Sequence, residues 1–128
     1  MGKIYILSLV LLFVSCTGDN GSRVVGGELS VYYTEPVKES NAIDLANYWK
    51  RKNLLTGKPQ DLQISRLDDR YIVKMIASDP KDAKQMDLRE RAVLLKLQAE
   101  LSDSVFAGEI VELWICNSQF ELITDINQ

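Results

Sequence analysis

The chain has 128 residues, 46% hydrophobic and 26% charged, with 15 Lys and Arg against 18 Asp and Glu, no histidine, and cysteine only at positions 16 and 116. These totals fit one small domain without a disulfide framework. They exclude histidine-dependent catalysis and remove the usual ligands of zinc, copper and haem; the acidic balance also opposes a nucleic-acid partner, which calls for a basic patch.

The first element is an export signal over residues 1–15. Met1-Gly2-Lys3 carries one side-chain positive charge, and residues 4–14 form an apolar core of eleven residues interrupted by Ser8. That core is shorter than the ~20 residues of a membrane span, and a charged start, apolar core and small residue form an export pattern. Ile6 stands where an N-myristoylation signal on Gly2 would place Ser or Thr. Phe13-Val14-Ser15-Cys16 resembles a bacterial lipobox, with Phe13 in place of the usual leucine. The resemblance implies cleavage before Cys16 and acylation of its thiol. Two or three acyl chains, at roughly 0.8 kcal/mol per buried CH₂, would hold the protein on a lipid bilayer. Cleavage would leave 113 residues, 14 basic against 18 acidic, for a net charge of −4.

Residues 16–27 are expected to be the lipidated N-terminus and a flexible tether, because TGDNGSRVVGG is rich in Gly and polar residues. Val24-Val25 could begin an edge strand, but Gly26-Gly27 interrupts it. A single α+β domain then fills residues 28–128. Its first strand is predicted over 28–34 (ELSVYYT), with Leu29, Val31 and Tyr33 on one face. Ser40 or Asn41 can cap a helix running to about Leu55, with Ala42, Leu45, Ala46 and Trp49 on its apolar side. Lys50, Arg51 and Lys52 suit the dipole at its end.

Residues 61–67 and 70–76 read as two strands joined by Asp68-Asp69. Asp79-Pro80 and Asp87-x-x-Glu90 are helix-start signals. A long helix is predicted over 87–106. Leu88, Leu95, Ala99 and the 94/97/101/105 series form its apolar stripe, with Arg89, Arg91, Lys96 and Glu100 toward solvent. Residues 109–116 (EIVELWIC) give the strongest strand signal, and 120–126 (FELITDI) can return as a hairpin strand. The order β-α-β-β-α-β predicts a ferredoxin-like sandwich with an additional C-terminal hairpin strand. LSVYYTEPV and LSDSVFAGEIVELWICN resemble segments of small uncharacterised bacterial proteins, and the short cysteine-terminated signal resembles those of Bacteroidota lipoproteins. Those resemblances imply localisation to the cell envelope, periplasmic or at the cell surface, on the outer membrane.

No motif specifies a reaction. Phosphate loops are absent, and Asp68-Asp69 lacks the loop spacing of a calcium site. No catalytic, cofactor-binding or metal residues are assigned, and Cys116 is expected to be a small buried hydrophobe. Strand alternation instead places Tyr32, Ile72, Ile76, Ile110 and Trp114 on the face away from the helices, crossed by Lys74 and Glu112. Tyr32, Ile72, Lys74, Glu112 and Trp114 are therefore the candidate partner-binding residues. The expected function is a non-catalytic, membrane-anchored binding or accessory protein of an envelope complex. A small inhibitor or immunity protein directed at an envelope or secreted enzyme is the alternative.

Overall fold

The computed structural model describes residues 21–128. The export signal over 1–15, the lipidation residue Cys16 and tether residues 17–20 lie outside the described residues. Among the described residues six strands and three helices follow in the order β1 (Ser22–Gly26), β2 (Leu29–Tyr33), α1 (Glu39–Arg51), β3 (Gln60–Leu67), β4 (Arg70–Ile76), α2 (Pro80–Lys84), α3 (Leu88–Ser104), β5 (Ile110–Cys116) and β6 (Leu122–Asp125). The protein is therefore α+β, with one six-stranded mixed sheet.

The strands lie side by side in chain order. β1–β2, β3–β4 and β5–β6 pair antiparallel, while β2–β3 and β4–β5 pair parallel. Each parallel pair is joined through helices, α1 in the first case and α2 with α3 in the second. This order corrects the ferredoxin-like expectation. A split βαβ unit leaves room for another strand between its parallel strands, whereas β2 lies directly beside β3 and β4 beside β5. Side-chain alternation specifies which face a strand buries, not which neighbour it pairs with. The C-terminal hairpin strand is present as β6.

A second correction falls on the tether. Residues 22–26 are β1, paired along its whole length with β2 from Ser22↔Tyr33 to Gly26↔Leu29. Gly27 takes φ +65°, which lets the chain reverse directly into β2. Gly27-Glu28 thus forms the two-residue turn of a hairpin, with Gly26 paired to Leu29 as the last residue of β1, and Val24 packs against the core.

Both long helices cover one face. Leu29 and Val31 of β2, Leu62 and Ile64 of β3, Val73 of β4 and Leu113 of β5 meet Leu45 and Trp49 of α1 and Leu101 of α3. Local chemistry trims the predicted helices. Asn41 does not cap α1; its Oδ1 accepts from the Lys38 N–H at 3.2 Å, reaching back from the third helical residue. At the other end Asn53 takes φ +57°, and the Leu54 N–H bonds to the Trp49 carbonyl, a Schellman stop that ends α1 at Arg51 rather than near Leu55. The other helix-start signals behave as expected: Asp79 accepts from the Lys81 N–H and Asp87 from the Glu90 N–H.

In α3 the helix–sheet contact is carried by Leu94, Leu97 and Leu101, with Val105 at the helix's C-cap. Leu88, Leu95 and Ala99 are exposed instead, so the predicted stripe is too broad. Arg91, expected in solvent, ties down the C-terminal segment by donating to the carbonyls of Ile126 and Gln128. Gln98 accepts from the Leu113 N–H of β5 at 2.8 Å, satisfying a backbone group just beyond the paired length of β6. Tyr48 of α1 donates to Glu100 of α3 at 2.7 Å and joins the two helices.

Candidate protein-binding face

Among the described residues the opposite face of the sheet carries no long helix. One cross-strand row spans all six strands there: Arg23, Tyr32, Gln63, Lys74, Trp114 and Asp125. A second row contains Ser65, Ile72 and Glu112. The register therefore brings Tyr32, Ile72, Lys74, Glu112 and Trp114 onto one face, as the alternation predicts. Tyr32, Lys74, Glu112 and Trp114 are half-buried. Ile72 is only 1% exposed, which corrects its assignment as an outward anchor. It sits between Ser65 and Glu112 in its row and is flanked along β4 by Arg70 and Lys74, whose long stems can cover apolar surface.

The exposed groups are organised by one another. The Lys74 ammonium lies 5.6 Å from the centroid of the Trp114 ring, within cation–π range. The indole Nε1–H of Trp114 donates to Glu112 Oε1 at 3.1 Å. Arg70 Nη1 donates to Glu112 Oε2, and Arg70 Nε donates to Asp69 Oδ1. Bonding first to Glu112 and then to Asp69 holds the Arg70 guanidinium more firmly in its charged form. Glu112 thereby fixes both the indole orientation and the nearby positive charge. The result is an aromatic surface bordered by paired charges.

Two positioning residues escape the strand pattern. Phe120 does not enter β6; it takes φ +61° in the β5–β6 connection and is 7% exposed. Its ring meets Tyr32 edge-on, 6.0 Å between centroids. The connection therefore folds over part of the helix-free face. Asn117 builds it: its Oδ1 accepts from the N–H groups of Gln119 and Glu121, and its carbonyl accepts from the Phe120 N–H. The available signal was the Asn-Ser dipeptide after β5, an Asx-turn former, but alternation cannot forecast that Phe120 turns back. A register shift at Ile115/Cys116 accommodates the same return. Cys116 is fully buried, and burial pushes its thiol up to about 11, with Lys74 opposing, so it stays protonated at neutral pH.

A separate cavity of about 270 Å³ lies where the α1–β3 loop meets the end of β4, lined in part by Thr56, Lys58, Asp61, Met75 and Ser78. Among the described residues no group of three or more His, Cys, Asp or Glu side chains is placed to hold a metal ion. No helix among them is long and apolar enough to cross a membrane.

No curated protein and no solved structure matches the chain. A family model described as a family N-terminal domain, AF_1994_N, matches residues 23–128, beginning within β1 and taking in every other element. The chain belongs to the AF_1994_N family.

Proposed function

We propose that this protein is a non-catalytic binding or accessory component of an envelope complex, exported and held on the outer membrane through acylated Cys16. Its partner is a protein that docks on the helix-free sheet face. The observation that carries the docking reading is the Tyr32–Lys74–Trp114 row. It combines two half-exposed aromatic side chains with a stacked cation and a carboxylate-locked indole. Tyr and Trp supply large contact area at low entropy cost, and their neighbours here already hold their orientation. The anchoring reading is supported by the residue pattern of 1–16.

Two measurements test the parts separately. Mass spectrometry of the membrane fraction should find a chain beginning at Cys16 with acyl mass, absent in C16S; an unmodified chain retaining Met1 would overturn anchoring. Mild crosslinking should yield a stoichiometric complex whose affinity falls by about 2 kcal/mol or more in W114A, the cost of truncating a hot spot. Circular dichroism and thermal unfolding must show that W114A stays folded. A folded W114A that captures the partner as well as the parent chain would remove Trp114 from the interface. If the captured partner is an enzyme and equimolar protein stops its activity, the complex is inhibitory rather than structural.

A further inference from the structure

α3 carries apolar residues on two sides. Leu94, Leu97 and Leu101 pack on the sheet. Leu88, Ala92, Leu95 and Ala99, spaced by four, three and four residues, form another stripe along the helix. All four are exposed; Leu88 is 84% exposed, and the neighbouring Val93 is 63% exposed. Among the described residues this outer stripe has no partner.

The charges along it are mostly positive. Between positions 88 and 99 the cations are Arg89, Arg91 and Lys96, and the only anion is Glu90. At 3.6 residues per turn, Arg89 and Lys96 flank the stripe on one side; Arg91, on the other, is engaged by the carbonyls of Ile126 and Gln128. Glu90 falls on the far side of the helix. Glu100 is engaged by Tyr48, and Asp103 lies beyond the stripe near the helix end. A chain of net charge −3 therefore shows an apolar strip edged by cations. That combination fits a surface with anionic headgroups above acyl chains.

We propose that the outer stripe of α3 rests in the surface of an anionic phospholipid bilayer. This rests on the anchoring reading above. The five residues 17–21 between Cys16 and β1 span at most about 18 Å, so an acylated Cys16 would hold the domain against the membrane. That reach does not choose a face; the cationic apolar stripe does. A few apolar side chains bind weakly alone, but tethering raises their effective concentration to the millimolar range. With α3 on the lipid, the helix layer faces the bilayer, and Tyr32 and Trp114 on the opposite side of the sheet face away from it.

The full chain carrying the photocrosslinker p-benzoylphenylalanine at position 95 tests this. It is mixed with vesicles of phosphatidylglycerol and phosphatidylethanolamine, or of phosphatidylcholine alone, and adducts are read by mass spectrometry. The same label at Ser118, exposed in the β5–β6 connection, is the control. The proposal expects phospholipid adducts at position 95 but not at 118. It expects them to fall on the order of tenfold or more in phosphatidylcholine and in the R89E/K96E double variant. An acylated, vesicle-bound chain with no lipid adduct at 95 overturns the α3 contact while leaving the anchor standing. A non-acylated chain that still gives charge-dependent adducts supports α3 and removes the anchor. Protein adducts at 95 in place of lipid adducts overturn the proposal by assigning the stripe to a protein or a second copy. A chain that binds neither vesicle overturns both readings.

Discussion

Asn117 shapes the candidate face without belonging to it. Three hydrogen bonds to its side chain and carbonyl close the connection that lays Phe120 on Tyr32. N117A removes the side-chain acceptor from two backbone N–H groups. It should cost about 1–2 kcal/mol, since a net hydrogen bond contributes ~0.5–1.5. Amide exchange at Gln119 and Glu121 should rise, and N117D, which keeps an acceptor oxygen, should restore protection. Unchanged exchange in N117A would mean that Phe120 packing and the backbone bonds of residue 117 hold the loop without the side chain. Tyr48 gives a pH-dependent counterpart. Burial, and then donation to Glu100, push its hydroxyl up to about 12, against ~10 in an unfolded chain. The folded state therefore keeps a proton that the unfolded state releases. The resulting stability is complete below pH ~10 and is lost as pH rises toward 12. Y48F should lower stability at pH 8 by removing the bond to Glu100, yet decline less steeply between pH 10 and 12. Thermal midpoints across that range check both signs, and parallel curves for the two proteins would contradict the assignment. The buried Cys116 thiol adds a similar loss between pH ~9 and 11 that Y48F leaves intact.

At the scale of elements, β1 and α3 depart most from the sequence pattern, for different reasons. SRVVG is too short, and too rich in glycine at its end, to announce a strand by itself. It becomes one because the Gly27 reversal brings it alongside LSVYY, whose backbone groups need a partner on that edge. Deleting residues 22–26 should therefore destabilise the domain rather than merely shorten a linker. Half-buried Val24 alone accounts for about 1–2 kcal/mol, given ~1.5–3 for a fully buried aliphatic side chain. Denaturant unfolding of chains beginning at Ser22 and at Gly27 provides the comparison, and equal midpoints would return β1 to the tether. In α3, leucine at 88, 94, 95, 97 and 101 allowed several stripes. Position along the helix did not reveal that only 94, 97 and 101 meet the sheet, because that depends on how the helix is rotated against β5. The broad pattern was therefore legible and the buried arc was not. By contrast, LSVYY, RYIVKMI and IVELWIC alternate strongly enough that their helix-facing residues could be read directly, and so could the residues of the opposite face.

At the scale of the molecule, a sheet laid out in strict chain order has a helix-covered face and one that is helix-free among the described residues. Local pattern could assign Tyr32, Lys74, Glu112 and Trp114 to the same face, but only long-range pairing decided that Tyr32, Lys74 and Trp114 fall in one row. It also decided that Ile72 is closed off and that Phe120 comes back to Tyr32. The strand order itself was not legible, since the same alternation is compatible with a split βαβ arrangement. The two tryptophans now offer a direct probe, because Trp49 is 1% exposed in the core and Trp114 is half-exposed on the row. Iodide quenching of tryptophan fluorescence can be compared between the free protein and its isolated crosslinked complex, with W114F identifying the Trp114 signal. The account predicts that Trp114 alone is quenched in the free protein and is shielded in the complex; quenching of Trp114 that is equal in both would contradict the assignment of this face to partner binding.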